Sequence, residues 1–244
     1  MKGDNVTIDE LQNYGLRIIQ PRHGYRFSLD PLLLCDFSEC AVGGRVVDLG
    51  AGCGVIPLVL ARKDEAARIV GVEFQHEMAE LATRNVLLNG LAGRIEIVEA
   101  DIISLRKLFP VSSFDLVVAN PPYRKPGSGK ISPGAGRDRA RHESTAGLAE
   151  FLMAAKYLVK PAGSICLIYH TSRLADCLAE SERQRLAPVR LRFVHGSPEA
   201  EARMFLVELV KGRKGELTVL PPCFVAARDG DGVVAPNSKE GETE

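Results

Sequence analysis

Four consecutive residues, Asn120-Pro121-Pro122-Tyr123, combine groups that suit contact with a planar nitrogen group. They follow the apolar run 114–119, which predicts a buried strand. The Asn120 carboxamide and the Pro121 carbonyl can accept hydrogen bonds from N–H groups. The prolines fix the backbone, and Tyr123 offers a ring on which a base can stack. The pattern favours methyl transfer to an amino or amide nitrogen, provided that the chain also binds a methyl donor.

The chemistry of such a nitrogen explains why these residue types would be needed. An exocyclic amine conjugated to a ring is a weak nucleophile because its lone pair is delocalised. Hydrogen bonds from its two N–H groups to Asn120 and Pro121 would localise that lone pair and aim it at the donor methyl. No strong general base is required, since the proton can leave after transfer. The alternative is an ordinary strand-ending turn, for which Asn-Pro is a common signal.

Alternating strand and helix patterns predict the elements that must position these residues. The predicted strands cover residues 45–49, 69–73, 95–99, 114–119, 164–169, 189–195 and 204–210. The predicted helices cover residues 31–37, 55–63, 75–89, 102–108, 142–159 and 172–185. This alternation predicts an α/β fold, a parallel sheet with helices on both faces. The link between the last two strands is too short for a parallel crossover, so we expect a hairpin there.

A glycine-rich turn follows the first predicted strand and is a candidate donor site. Such a turn between a strand and a helix lets a ligand approach the backbone closely and presents the helix N-terminus. The dinucleotide pattern GxGxxG is not matched, because Val55 or Pro57 occupies its last position. The acidic-x-Gly-x-Gly-x-Gly pattern instead resembles the S-adenosylmethionine loop of class I methyltransferases. Its residues are Asp48, Gly50, Gly52 and Gly54.

Two further acidic residues follow the glycine turn at the ends of predicted strands. Glu73 lies about 20 residues beyond it, where a carboxylate can accept both ribose hydroxyls of a nucleoside. Its alternative is an exposed strand-end carboxylate. By resemblance to similar proteins, Asp101 would accept a hydrogen bond from the adenine amino group. It can also cap the following helix, and the two roles can coexist.

A stretch near the N-terminus, Ile19–Asp30 with the sequence IQPRHGYRFSLD, narrows the resemblance. Together with the motifs above, it resembles the start of the bacterial tRNA1(Val) (adenine-N6)-methyltransferase family. The run 220–225 is similar to that family's C-terminal end, and the resemblance covers most of residues 10–227. It implies the class I methyltransferase fold, a Rossmann-like sheet of seven mainly parallel strands with an antiparallel last strand.

The resemblance also implies an activity and further site residues. The reaction would transfer a methyl group from S-adenosylmethionine to N6 of an adenosine in tRNA, beside the anticodon of a valine tRNA, and leave S-adenosylhomocysteine. Asn120 would face both donor and acceptor. By analogy, Arg26 would meet the donor carboxylate and Phe27 would pack on the adenosyl group. The alternative for these two residues is a structural lid over the sheet edge.

A basic loop adjoins the acceptor motif and is a candidate tRNA-binding segment. It covers residues 124–141, is rich in Gly and Pro, and contains a single acidic residue, Asp138. Its basic residues are Arg124, Lys125, Lys130, Arg137, Arg139 and Arg141. Positive charge at this place would contact RNA phosphates. The alternative is an ordinary solvated surface, and the balance of 31 basic and 31 acidic residues gives no general sign of a nucleic-acid partner.

Composition and spacing also predict the organisation of the chain. Residues 1–40 are expected to pack as an N-terminal segment on a catalytic domain of residues 41–227. Residues 228–244, rich in Gly, Asp and Glu, are expected to be disordered. The histidines and cysteines show no metal-ligand spacing. No apolar run approaches membrane-spanning length, and we expect a cytoplasmic monomer that binds neither metal nor membrane.

Other functions fit parts of the same pattern. An amide nitrogen suits the same grip, as in protein-glutamine N5 methyltransferases. Those enzymes usually carry a helical N-terminal domain, for which little room precedes the first predicted strand at Arg45. Guanine N2 in ribosomal RNA and adenine N6 in DNA are also possible acceptors. A non-catalytic RNA-binding protein on this fold is the alternative from another class, and the intact Asn120 and glycine motif weigh against it.

Overall fold

The computed structural model describes residues 6–23, 26–121, 146–212 and 216–225. The strands are β1 Val6–Leu11, β2 Leu16–Pro21, β3 Arg45–Leu49, β4 Arg68–Glu73, β5 Ile95–Glu99, β6 Phe114–Ala119, β7 Val159–His170, β8 Leu186–His195, β9 Ala202–Lys211, β10 Thr218–Val219 and β11 Cys223–Phe224. The α-helices are α1 Asp30–Phe37, α2 Val55–Lys63, α3 His76–Leu88, α4 Leu148–Leu158 and α5 Leu174–Arg183. None of the described helices is both long and apolar enough to cross a membrane.

A nine-stranded sheet forms the centre of the described chain. Its order is β10-β8-β9-β7-β6-β3-β4-β5, and β11 also pairs with β8. Neighbouring strands run parallel, except that β9 is antiparallel to both β7 and β8. All seven predicted strands are present as β3 to β9, and the predicted hairpin between the last two is confirmed. The short strands β10 and β11, which the sequence patterns did not predict, lie parallel to β8.

Two apolar layers cover the two faces of this sheet. On one face, α1, α2 and α3 pack against residues such as Val46 of β3. On the other, α4, α5 and the segment Ile102–Lys107 pack against residues such as Val47. Neighbouring side chains on a strand point to opposite faces, so both layers draw on the same strands. The segment predicted as a helix over 102–108 is a 3₁₀ helix of six residues, because short helical segments readily adopt the tighter pattern.

The N-terminal residues form a hairpin that the sequence analysis did not predict. Strands β1 and β2 pair antiparallel in a sheet of their own, joined through a turn that ends at Gly15 with φ 58°. Leu16 and Ile18 are buried within the same apolar cluster as α1, α2 and α3. β1 contains several polar residues, so its sequence does not show the apolar pattern of a buried strand. The hairpin is stabilised by packing against the helices that cover the central sheet.

Candidate functional site

The carboxyl ends of the parallel strands bring the predicted motifs to one edge of the sheet. In the strand register, Leu49 at the end of β3 pairs with Val72 of β4 and with Ala119 of β6. Neighbouring strands lie about 4.8 Å apart, so the residues after Leu49 and Ala119 leave the sheet side by side. The glycine turn after β3 and Asn120 after β6 are therefore adjacent. Ligands of open α/β sheets gather at such edges.

Backbone hydrogen bonds hold the glycine turn against β4. The N–H groups of Gly50 and Ala51 both donate to the carbonyl of Val72 at 2.9 Å. At the far end of the turn, Gly54 has φ 87° and precedes the first residue of α2. A Cβ atom at Gly54 would lie 3.2 Å from Cβ of Ala82 on α3. Both the backbone conformation and the close packing of α3 therefore favour glycine at this position.

Glu73 at the end of β4 is buried and organises the turn. Its Oε2 accepts the N–H of Gly52, and its Oε1 accepts the N–H of Gln75, both at 2.8 Å. Burial raises the pKa of this carboxyl, and the backbone N–H donors oppose that rise. A carboxylate has about four acceptor positions, so these two bonds leave capacity for further donors. Glu73 therefore supports the glycine turn, a role that the sequence did not indicate. This role is compatible with the predicted contact between Glu73 and the ribose.

Asp48 is a fully buried carboxyl group next to this turn. Its relative exposure is 0%, and neither carboxyl oxygen has a hydrogen-bond partner within the described part of the chain. Burial raises its pKa well above the ordinary value, and the nearby Glu73 carboxylate adds to the rise. A cationic ligand would stabilise the ionised forms of both acids. S-adenosylmethionine carries a sulfonium and an ammonium group, so its charge fits this pair.

Asp101 lies two residues after β5 and caps the 3₁₀ helix that follows. Its Oδ1 accepts the N–H of Ile103 at 3.0 Å, which confirms the capping role. The carbonyl of Asp101 also accepts the Ser104 hydroxyl at 2.8 Å. The proposed adenine contact through this side chain stays a prediction.

The acceptor motif is described only in part. Asn120 is half-buried and Pro121 is buried at the end of β6. Pro122, Tyr123 and the basic loop over 124–141 lie outside the described residues, so their predicted roles stay predictions. The ring of Phe151 on α4 lies 3.7 Å from the position that a Cβ of Gly50 would occupy. Phe151 is 5% exposed and its close contact with the donor turn was not foreseen from the sequence.

The structure places Arg26 at the N-terminal hairpin. Its guanidinium forms an ion pair with Asp9 at 2.6 Å and donates to the Thr7 hydroxyl at 2.7 Å. Both Asp9 and Arg26 lie near enough to the glycine turn to influence the pKa of Cys53. The backbone N–H of Phe27 donates to Gln20 at 3.2 Å. The hairpin therefore holds Arg26 near the donor turn, and its contact with a donor carboxylate stays a prediction.

Asn85 on α3 is a further residue of the site that the sequence analysis missed. It is fully buried, and its amide donates to the carbonyl of Cys53 in the glycine turn at 2.8 Å. It also exchanges two hydrogen bonds with Ile19 of β2. The available signal was a polar residue on a helix face that is otherwise apolar, since Ala82 and Val86 flank it.

Cys53 lies within the glycine turn and is 4% exposed. Burial is the main cause that raises the pKa of its thiol to about 11. A thiol in that state is a poor nucleophile near neutral pH. This agrees with a packing role.

Within the described ranges, no group of three His, Cys, Asp or Glu side chains is placed to hold a metal ion.

Comparisons with known proteins agree with this geometry. A family model described as a methyltransferase small domain matches residues 30–135. A tRNA1(Val) (adenine(37)-N6)-methyltransferase from Porphyromonas gingivalis is 36% identical over 164 residues, which are 66% of this chain and 64% of that protein. The chain thus spans just under two thirds of that relative's length. A protein of the same name from Erwinia tasmaniensis is 32% identical over 178 residues, which are 72% of this chain and 70% of the relative. The chain belongs to this family.

Solved structures support the same fold for this member of the tRNA1(Val) (adenine-N6)-methyltransferase family. A predicted O-methyltransferase from Agrobacterium tumefaciens superposes with a TM-score of 0.66 at 25% identity, over 84% of this chain and 91% of that one. A tRNA m1G37 methyltransferase from M. jannaschii has a TM-score of 0.60 at 16% identity, over 87% and 59% of the two chains. The second likeness shows the fold alone. The predicted class I methyltransferase fold is confirmed.

Proposed function

We propose that this protein transfers a methyl group from S-adenosylmethionine to N6 of an adenosine in tRNA, beside the anticodon of a valine tRNA. The proposal depends most on the position of Asn120, which leaves β6 next to the glycine turn at the end of β3. Family membership supports the adenosine and tRNA specificity, because the relatives carry that activity in their names. A tRNA substrate implies a cytoplasmic enzyme, which we expect to act as a monomer.

The donor side of the site consists of groups that match S-adenosylmethionine. When bound, S-adenosylmethionine supplies an electrophilic methyl group on a positively charged sulfur. The glycine turn over residues 50–54 would let the donor approach the backbone closely, and Glu73 would accept the ribose hydroxyls. Asp101 would accept a hydrogen bond from the adenine. Arg26 would bind the carboxylate, and Phe27, which is partly buried against the apolar core, would pack on the adenosyl group.

The acceptor side orients the nitrogen and does not need to ionise it. The Asn120 side-chain oxygen and the Pro121 carbonyl would accept the two N–H groups of the adenine, so that its nitrogen lone pair points at the methyl group. Tyr123 would stack on the base, and Pro122 would fix the backbone between these groups. The basic residues of the loop over 124–141 would contact tRNA phosphates next to the reacting base.

The substrate class is tested by incubating the purified protein with labelled S-adenosylmethionine and separate pools of tRNA, ribosomal RNA, DNA and a peptide-release factor. We expect label in tRNA, and nucleoside mass spectrometry should identify N6-methyladenosine at the position next to the valine anticodon. Label on the release factor without label on RNA would contradict the proposal and favour glutamine methylation. Label as N2-methylguanosine in ribosomal RNA would also contradict it.

Asn120→Ala should reduce turnover by about a hundredfold to a thousandfold, which is typical for loss of one preorganised hydrogen-bonding group. Affinity for S-adenosylhomocysteine should stay within a few fold, because the buried acids and the glycine turn are intact. Turnover is measured by methyl transfer to tRNA and affinity by calorimetry. Wild-type turnover in the variant would show that the carboxamide does not orient the acceptor.

A further inference from the structure

Two asparagines pair with the edge of β2 that faces away from β1. Asn85 accepts the N–H of Ile19 at 2.6 Å and donates to its carbonyl at 2.8 Å. Asn89 does the same for Arg17, at 2.9 Å and 2.8 Å. Four residues along a helix span about 6 Å and two residues along a strand span about 6.8 Å. This match lets the two side chains replace a neighbouring strand, and so it attaches the hairpin to α3.

The two asparagines differ in one contact. The Asn85 amide has a second donor, which binds the carbonyl of Cys53 in the donor turn at 2.8 Å. The second donor of Asn89 instead binds the carbonyl of Asn85 within the helix at 2.8 Å. Asn85 is 0% exposed, and its three hydrogen bonds use the carbonyl oxygen and both N–H donors of the carboxamide. Asn85 therefore joins the hairpin to the donor turn, whereas Asn89 holds only the hairpin.

The donor turn is thus supported from two sides. Glu73 holds the N–H of Gly52, and Asn85 holds the carbonyl of Cys53. The hairpin in turn holds Arg26 through Asp9. A displacement of Asn85 would remove one of these supports and would also leave the N–H and carbonyl groups of Ile19 on β2 unsatisfied.

We propose that Asn85 is a positioning residue that couples the N-terminal hairpin to S-adenosylmethionine binding. The inference depends on the proposed function, because it requires that the glycine turn binds the donor. Coupling is reciprocal: if the hairpin holds the turn in its binding conformation, a bound donor must in turn stabilise the hairpin. No contact between Asn85 and the donor is involved.

The test compares three variants of one helix. Asn85→Ala should weaken S-adenosylhomocysteine binding about tenfold to a hundredfold, since the loss of a buried carboxamide leaves backbone groups without partners. Asn89→Ala removes the matching hairpin contact without touching the turn. Val86→Ala removes buried apolar volume beside Asn85 and controls for general destabilisation. Val86→Ala should bind within about threefold of wild type, and Asn89→Ala should lose clearly less affinity than Asn85→Ala, by calorimetry on protein checked for folding by circular dichroism.

Kinetics and hydrogen exchange give a second readout. Asn85→Ala should raise KM for S-adenosylmethionine much more than it lowers kcat, because the reacting groups are unchanged. In the wild-type protein, S-adenosylhomocysteine should slow amide exchange in β2 as well as in the glycine turn. This measurement needs no variant, so it decides the question even if Asn85→Ala does not fold.

The outcomes separate this inference from the proposed function. If the wild-type protein binds no S-adenosylhomocysteine, the proposed function fails and the inference fails with it. If the wild type binds but β2 exchange is unchanged by the ligand, the inference alone is wrong. Equal losses of affinity in Asn85→Ala and Val86→Ala would also overturn it, because the effect would then be general destabilisation.

Discussion

At the level of single residues, the buried Asp48 carboxyl destabilises the ligand-free protein when it is ionised. A fully buried carboxyl without a hydrogen-bond partner among the described residues is costly to ionise. Carboxyl groups with a strongly perturbed pKa cluster at functional sites. The burial that raises the pKa of Asp48 therefore agrees with a cationic donor at this site.

Asp48→Asn should stabilise the protein without ligand, and more so as the pH rises. The folded-state pKa of Asp48 is raised, so its contribution to stability is complete below the unfolded value of about 3.9 and is lost as the pH rises through the folded value. Asparagine does not titrate. Thermal unfolding should show a higher Tm for the variant at pH 8, by about 2 to 4 °C for each kcal/mol.

The same variant should lose donor affinity, because the negative charge that would face the cationic donor is gone. The control is the same pair of proteins at pH 5, where the Tm difference should be smaller. A larger difference at pH 5 than at pH 8 would show that the ionisation of Asp48 does not limit stability.

At the level of elements, the donor turn depends on the close approach of α2 and α3. Gly54→Ala should destabilise the protein by about 2 to 4 kcal/mol, for two reasons. An alanine would be strained in the left-handed backbone conformation of this residue, and its Cβ would lie only 3.2 Å from Cβ of Ala82. Gly90, after α3, has a similar φ of 68° but open space around its Cβ position. Gly90→Ala should therefore cost only about 1 kcal/mol.

Denaturant unfolding measures both losses, and calorimetry measures S-adenosylhomocysteine affinity. Only Gly54→Ala should weaken binding, because only that glycine lies in the turn. Equal unfolding losses in the two variants would mean that α3 yields to the added methyl group and does not constrain the turn.

Elements differ in how well their sequence patterns predicted them. The apolar runs of β3, β4 and β6 predict strands because they are almost wholly buried in a sheet that is covered on both faces. The hairpin of β1 and β2 is different, since its outer edge is satisfied by Asn85 and Asn89 from a helix more than 60 residues away. A local sequence pattern cannot predict a hydrogen-bond partner that lies so far away along the chain. The 3₁₀ helix over Ile102–Lys107 was predicted in position but not in type.

At the level of the whole molecule, charge gives little attraction for RNA. The chain has 31 basic and 31 acidic residues, so any attraction to tRNA must come from a local patch. The basic residues Arg183 and Arg190 are partly neutralised, since Arg183 pairs with Glu180 at 2.9 Å and Arg190 pairs with Glu39 at 2.7 Å. The loop over 124–141 remains the best candidate for phosphate contact.

Replacing Arg137, Arg139 and Arg141 by alanine should weaken tRNA binding and flatten its salt dependence. Each phosphate contact contributes about 0.7 to 0.9 to the slope of log affinity against log salt concentration. Fluorescence anisotropy between about 50 and 200 mM salt measures this slope. The double variant Arg183→Ala, Arg185→Ala is the control and should leave the slope unchanged. Affinity for S-adenosylhomocysteine should be unchanged in both variants. An unchanged slope in the loop variant would place the tRNA elsewhere.

The sequence by itself determined the fold class, the positions along the chain of the strands that carry the site, and the chemistry that the residue types favour. This was possible because strand–helix alternation and the motifs at strand ends are local patterns, and because parallel strands bring their carboxyl ends to one edge. Asp48, Glu73, Asp101 and Asn120 were predicted as site residues in this way, and their contacts with the donor and acceptor stay predictions.

Only the tertiary structure decided which groups hold the site in place. It showed that Asp48 is buried without a partner among the described residues, that Glu73 binds the turn it follows, and that Asn85 joins the hairpin to that turn. Each of these facts depends on contacts between segments far apart in the chain. Such contacts follow from packing, and no spacing in the sequence encodes them.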